Sequence, residues 1–166
     1  LPGEPETTPM ICIAAGSGIA PFRAFLQERA VMMEQDKDRN LAPALLFFGC
    51  RAPGVDDLYR EQLEEWQARG VVDVRWAFSR QSDDTKGCRH VDDRILADRE
   101  DVVKLWRDGA RVYVCGSGAL AESVRSAMVA VLRDEMETTG DGSDSGKAEK
   151  WFDEQRNVRY VMDVFD

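Results

Sequence analysis

Runs of residues that are apolar throughout alternate with helical patterns along this chain, and that alternation most constrains its fold. Residues 10–15, 44–50, 71–78 and 111–115 read as strands. Helical spacing covers residue 20 to about 33, with Phe22, Phe25, Leu26 and Arg29 three and four apart, then 58–68, which Gly70 ends. It resumes over 91–106 in two pieces closed by Gly109, and again over 119–136. Residues 138–146 read as a Gly/Ser/Asp loop, 147 to about 157 as a short helix, and 158–165 as a terminal strand. Strands without polar alternation are buried on both faces, which calls for a parallel sheet covered by helices on each side. With right-handed crossovers, the predicted fold is α/β: a doubly wound, about five-stranded parallel sheet with helices on both faces. Ligands of such sheets sit outside the carboxyl ends of the strands.

The polar residues that follow the strands therefore carry the functional reading. Gly16-Ser17-Gly18 comes after the first strand and opens a helix with Pro21 in its first turn. Glycines let a ligand approach the main chain, and Pro21 suits a first turn whose free amides and positive dipole end face an anion. The spacing is not GxGxxG, so by itself this turn reads equally as a phosphate site or as an ordinary connection. Cys50-Arg51 follows the second strand, Ser79-Arg80 the third, and Cys115-Gly116-Ser117 the fourth. An acid after the third strand would suit a free ribose hydroxyl. A hydroxyl and a guanidinium suit a 2′-phosphate, which favours NADP(H) over NAD(H). Lys86 and Arg89 lie on the same long polar loop, either adding positive charge or facing solvent. Arg51 divides between a cofactor contact and an ion pair with Asp56 or Asp57.

The formal net charge of −9 argues against a nucleic-acid surface or an anionic membrane, while leaving room for a local basic pocket. No apolar run approaches a membrane span, and none resembles a signal peptide. Cys12, Cys50, Cys88 and Cys115 lack metal-ligand spacing and read as buried free thiols of a reducing compartment, so no metal site and a cytoplasmic location are expected. Residues 1–9, with three prolines and a glycine, read as an extended inter-domain linker, and residues 10–166 as one domain.

Six motifs in one order carry a resemblance. Gly16-Ser17-Gly18-Ile19-Ala20-Pro21-Phe22-Arg23, Phe47-Phe48-Gly49-Cys50-Arg51, Asp57-Leu58-Tyr59-Arg60-Glu61-Gln62-Leu63, Ala77-Phe78-Ser79-Arg80, Val112-Tyr113-Val114-Cys115-Gly116 and Arg159-Tyr160-Val161-Met162-Asp163-Val164-Phe165 together resemble the NADPH-binding module of diflavin reductases. Within that family the chain is most similar to NADPH–cytochrome P450 reductase. Its tail Asp163-Val164-Phe165-Asp166 and its loop Lys86-Gly87-Cys88-Arg89 look most like fungal enzymes that fuse a cytochrome P450 fatty-acid hydroxylase to its reductase.

The resemblance implies a ferredoxin-reductase-type NADP-binding domain that positions NADPH for hydride transfer to FAD, with electrons then passing through FMN to a P450 haem. It implies an FAD-binding domain preceding residue 1, and an FMN domain and a P450 haem domain as acceptors; this chain would bind nucleotide and catalyse little alone. It assigns phosphate binding to Gly16, Ser17, Gly18 and Pro21, contacts on the adenine side to Cys50 and Arg51, and the 2′-phosphate to Ser79 and Arg80, with Lys86 and Arg89 nearby. Gly116 and Ser117 adjoin the nicotinamide, Cys115 and Asp163 flank it during hydride transfer, and Phe165 stacks on the flavin. Relatives commonly have Thr for Ser17, Asp for Ser117 and Trp for Phe165, and Tyr-Val-Gln where this chain has His90-Val91-Asp92. A reductase half serving sulfite or nitric oxide chemistry, and a non-catalytic nucleotide-sensing module, remain as alternative readings.

Overall fold

The computed structural model describes residues 1–137 and 145–165. Strands β1 (Met10–Ala15), β2 (Ala44–Cys50), β3 (Asp73–Phe78), β4 (Arg111–Gly116) and β5 (Tyr160–Val164) form one sheet in the order β3-β2-β1-β4-β5. All four neighbouring pairs are parallel. The chain steps outward from β1 to β3, then returns to place β4 on the other side of β1, so the switch point lies between β1 and β4.

Side chains alternate between two cores, because successive residues of a strand point to opposite faces. Met10, Cys12 and Ala14 of β1 face helices α1 (Ala20–Gln35) and α2 (Arg60–Ala68), which contribute Phe22, Leu26, Leu63 and Trp66. Ile11 and Ile13 face the opposite layer of α3 (Val91–Ala97), α4 (Arg99–Arg107), α5 (Gly118–Glu137) and α6 (Ser145–Glu154). The expected fold is present, with helices on both faces.

Several boundaries differ from the sequence reading for local reasons. Helix α2 starts at Arg60, not 58, because Tyr59 takes a left-handed φ of 61° that no helix continues. The Arg23 guanidinium lies over its ring, 4.9 Å from the centroid. Strand β3 starts at Asp73, since the Val71 N–H and C=O are engaged by Trp66 and by Arg29. Arg29 itself, on the apolar face of α1, is buried and donates to the carbonyls of Val71 and Ala42. Residues 138–144 of the expected loop lie outside the described residues, and Ser145 and Gly146 belong to α6.

The expected extended segment at residues 1–9 is instead folded onto the domain. Thr7 and Thr8 donate backbone N–H groups to Glu4, Ala42 donates to Pro5, and Glu6 pairs with Arg39. Pro2, Pro5 and Pro9 are buried, and Leu1 packs against the α1 side of the sheet. Prolines that stiffen a linker also bury apolar rings at little entropic cost, and here the second effect wins.

Candidate functional site

The turn after β1 sits on the switch point. Gly16–Ile19 form one 3-10 turn that runs into α1, with Pro21 in the first turn of the helix as expected. Gly16 has a φ of +55°, and a Cβ built there would meet nothing, so its backbone is open to a ligand. Gly18 differs from its expected role. A Cβ there would lie 2.2 Å from the Cys115 carbonyl oxygen, so this glycine is required by the end of β4 rather than by an incoming ligand. Ser17 is exposed at the tip of the turn between them.

On the β2–β3 side, the ladder continues past the strand ends. The Ser79 N–H donates to Cys50 O at 3.0 Å and the Arg80 N–H to Arg51 O at 2.8 Å, which locks the two sequence motifs side by side. Asp56 shapes the first of these loops by accepting from the Arg51 and Ala52 N–H groups and from Arg51 Nε. Arg51 thus makes the ion pair weighed from the sequence, yet its side chain remains 57% exposed and still lines a cleft. Arg89 Nε donates to Ser79 O at 3.0 Å, and the Asp93 carboxylate accepts from the Arg89 and His90 N–H groups at the start of α3.

The cleft enclosed by these loops has a volume of about 240 Å³. Gly16, Cys50, Arg51, Ser79 and Arg89 line it, all of them named from the sequence, and so do Gly49, Asp56, His90, Val91 and Leu120. Exposed guanidinium groups around a glycine turn form a local anion site on an acidic protein. The Cys50 thiol is pushed up to about 12 by burial first and then by Asp56 and Asp57, so it is a neutral wall of the cleft.

On the β4–β5 side, Cys115 and Asp163 are paired across the ladder. The Phe165 N–H donates to Gly116 O at 3.0 Å, extending the ladder one residue, and the ring is 44% exposed. Ser117 has a structural task as well as its expected one: its Oγ accepts from the Leu120 N–H and caps α5. The candidate residues therefore form a line along the carboxyl edge, from Arg89 and Ser79 through Gly16 to Cys115, Asp163 and Phe165. Lys86 stands apart, its ammonium 2.6 Å from Asp98 and outside the lining of the cleft. Arg80 is exposed just beyond the cleft wall.

Asp56 and Leu120 were not singled out as site residues from the sequence. Asp56 carried a signal in the acidic pair after Arg51; Leu120 enters through the helix packing of α5.

Residues 12–126, which span the turn, the cleft and the start of α5, match the oxidoreductase NAD-binding domain family. The chain belongs to that family. This NAD-binding domain is 48% identical, over all of its 166 residues, to the bifunctional cytochrome P450/NADPH–P450 reductase of Fusarium oxysporum. It is 41% identical over 165 residues to a second bifunctional cytochrome P450/NADPH–P450 reductase, from Acremonium egyptiacum, and 47% identical over 134 residues to a self-sufficient cytochrome P450 monooxygenase of Penicillium expansum. The domain spans 15%, 15% and 13% of the length of those three proteins. Among its described residues, no helix is long and apolar enough to cross a membrane.

Proposed function

We propose that this domain binds NADP(H) along the carboxyl edge of its sheet and, in a longer reductase, presents the nicotinamide to FAD. The observation that carries the reading is the ladder extension joining Ser79-Arg80 to Cys50-Arg51, with Arg89 bonded to Ser79. It gathers three guanidinium groups where the adenosine end of a dinucleotide lies in a doubly wound sheet. Ser79, Arg80 and Arg89 hold the 2′-phosphate, Arg51 the adenine side, and Gly16, Ser17 and the amides before Pro21 the pyrophosphate. Gly18 and Gly116 serve by letting the turn and α5 close on β4.

The nicotinamide then lies at β4 and β5. Cys115 and Asp163 orient it and support the charge that develops as hydride leaves, while Phe165 covers the flavin face until the nicotinamide displaces it. FAD, when bound by its own domain, accepts the hydride and divides it into single electrons. Residues 1–9 connect to that domain, and residues 10–166 form the NADP(H)-binding unit. Electrons pass through an FMN domain to a P450 haem, with fatty-acid hydroxylation as the reaction served. The names borne by the relatives favour this acceptor over sulfite or nitric oxide chemistry. No anionic membrane or nucleic acid is a partner of so acidic a surface, and a cytoplasmic location fits the four free buried thiols.

The test is calorimetric titration of the Arg80→Ala chain with NADPH, and with NADH by competition. NADPH binding should weaken by about 1.5–3 kcal/mol, the usual worth of a charge-assisted contact, with NADH little changed. Equal losses for the two nucleotides would remove the 2′-phosphate assignment.

A further inference from the structure

We infer that Lys86 is a strut locked to Asp98 and not a ligand of the 2′-phosphate, so that Arg89 supplies the second cation of the specificity loop. The inference rests on the NADP(H) reading above and divides the labour within it. Residues 79–89 form a closed unit. The Thr85 hydroxyl, fully buried, reaches the Ser82 and Cys88 carbonyls, and the N–H groups of Gly87 and Cys88 return to Ser82 and Thr85. Lys86 and Gly87 take successive left-handed φ values of 56° and 75°, which reverse the chain there. After this reversal the Lys86 ammonium lies against the junction between α3 and α4, while Arg89, three residues on, lines the cleft.

What Lys86 meets at that junction is a carboxylate with a side chain only 2% exposed. Asp98 accepts from Lys86 Nζ at 2.6 Å, from Arg94 Nε at 2.6 Å and from Arg75 Nη1 at 3.2 Å. Arg75 is shared with Asp73 at 2.7 Å and Asp101 at 3.0 Å. Lys86, Arg75 and Arg94 thus face Asp73, Asp98 and Asp101, and the cluster is neutral only with the ammonium in place. Drawing Lys86 out to a phosphate would leave net negative charge around a buried carboxylate, which is costly. Arg89 faces no such cost, because its side chain is held by a single neutral carbonyl beside the cleft. A guanidinium also matches phosphate oxygens in a fork that an ammonium lacks.

Lys86→Met, Arg89→Met and Asp98→Asn separate the roles, with NADPH affinity read by calorimetry and NADH by competition. Lys86→Met removes the charge from a side chain 59% exposed and keeps its stem, so the fold is retained. Its affinities for NADPH and NADH should change by the same factor, within threefold of each other. Arg89→Met should lose at least tenfold for NADPH with NADH within threefold of the parent chain. A loss for NADPH in Lys86→Met more than threefold beyond that for NADH would overturn the inference and make Lys86 a ligand. Selective loss in neither Arg89→Met nor Arg80→Ala would instead remove the underlying NADP(H) reading. The strut has its own readout. The drops in thermal midpoint from Lys86→Met and Asp98→Asn should be non-additive in the double variant, as for two ends of one contact, and additive drops would overturn it. Should Asp98→Asn fail to fold, the two nucleotide titrations of Lys86→Met decide alone.

Discussion

Cys115 on β4 and Asp163 on β5 are register partners, so their side chains leave the same face of the sheet next to one another. Burial raises the Cys115 thiol and the neighbouring carboxylate raises it further, which leaves a neutral thiol beside an acid at the nicotinamide end of the proposed site. In the full reductase, Cys115→Ala or Asp163→Asn is expected to slow flavin reduction by NADPH on the order of ten- to a hundredfold, with little change in NADPH affinity. Stopped-flow absorbance of the flavin measures both quantities. A loss confined to affinity would make the pair a packing contact of the sheet edge.

Phe165 continues the β5 ladder through its N–H while its ring stays open, an arrangement suited to a surface supplied by another domain. Phe165→Ala in the full reductase should raise affinity for NADPH and NADH together and shift the ratio of their kcat/KM values toward NADH. Turnover with NADPH should fall if the oxidised cofactor then leaves slowly. Steady-state kinetics with the two nucleotides is the check, and an unchanged ratio would deny the ring its gating role.

The acid stability of the specificity loop follows from Asp98. Burial pushes its carboxyl up, but hydrogen bonds from Arg94 and Lys86 outweigh that and hold it at about 2, below the ordinary 3.8. A depressed carboxyl stabilises the fold above its unfolded value and loses that contribution as pH falls toward the folded one. Stability worth up to about 2 kcal/mol should therefore be complete above pH 5 and drain away between about pH 4 and pH 2. Urea denaturation across this range should show the slope in the parent chain and a flatter one in Asp98→Asn.

The two glycines of the first turn should respond differently to alanine. Gly18→Ala drives a Cβ into the Cys115 carbonyl, a backbone atom that cannot step aside, and is expected to cost about 1–3 kcal/mol or more of stability. Gly16→Ala meets no atom and costs about 1–2 kcal/mol for its left-handed φ. Its methyl group projects where the pyrophosphate is proposed to lie, so NADPH affinity should fall as well. Urea melts beside NADPH titrations distinguish them; loss of binding without loss of stability in Gly18→Ala would refute the packing role.

The fold was legible because its signals are local. Strands such as Phe47-Phe48 are apolar on both faces, and a glycine turn followed by Pro21 marks a helix start whatever surrounds it. The order of these elements along the chain, with right-handed crossovers, leaves few sheets to choose from. The site was legible as a set of strand ends but not as a constellation. That Arg80 hydrogen-bonds to Arg51, that Asp163 faces Cys115, and that Gly18 answers to the Cys115 carbonyl depend on register between strands far apart in sequence. The division between Lys86 and Arg89 was likewise invisible, since both are cations of one polar loop. Tertiary structure decided it by bringing a buried carboxylate from the α3–α4 junction within 2.6 Å of one and leaving the other at the cleft. Residue type and spacing determine which elements form and which chemistry their ends carry; the pairing of those ends is decided by long-range packing, which a single sequence does not display.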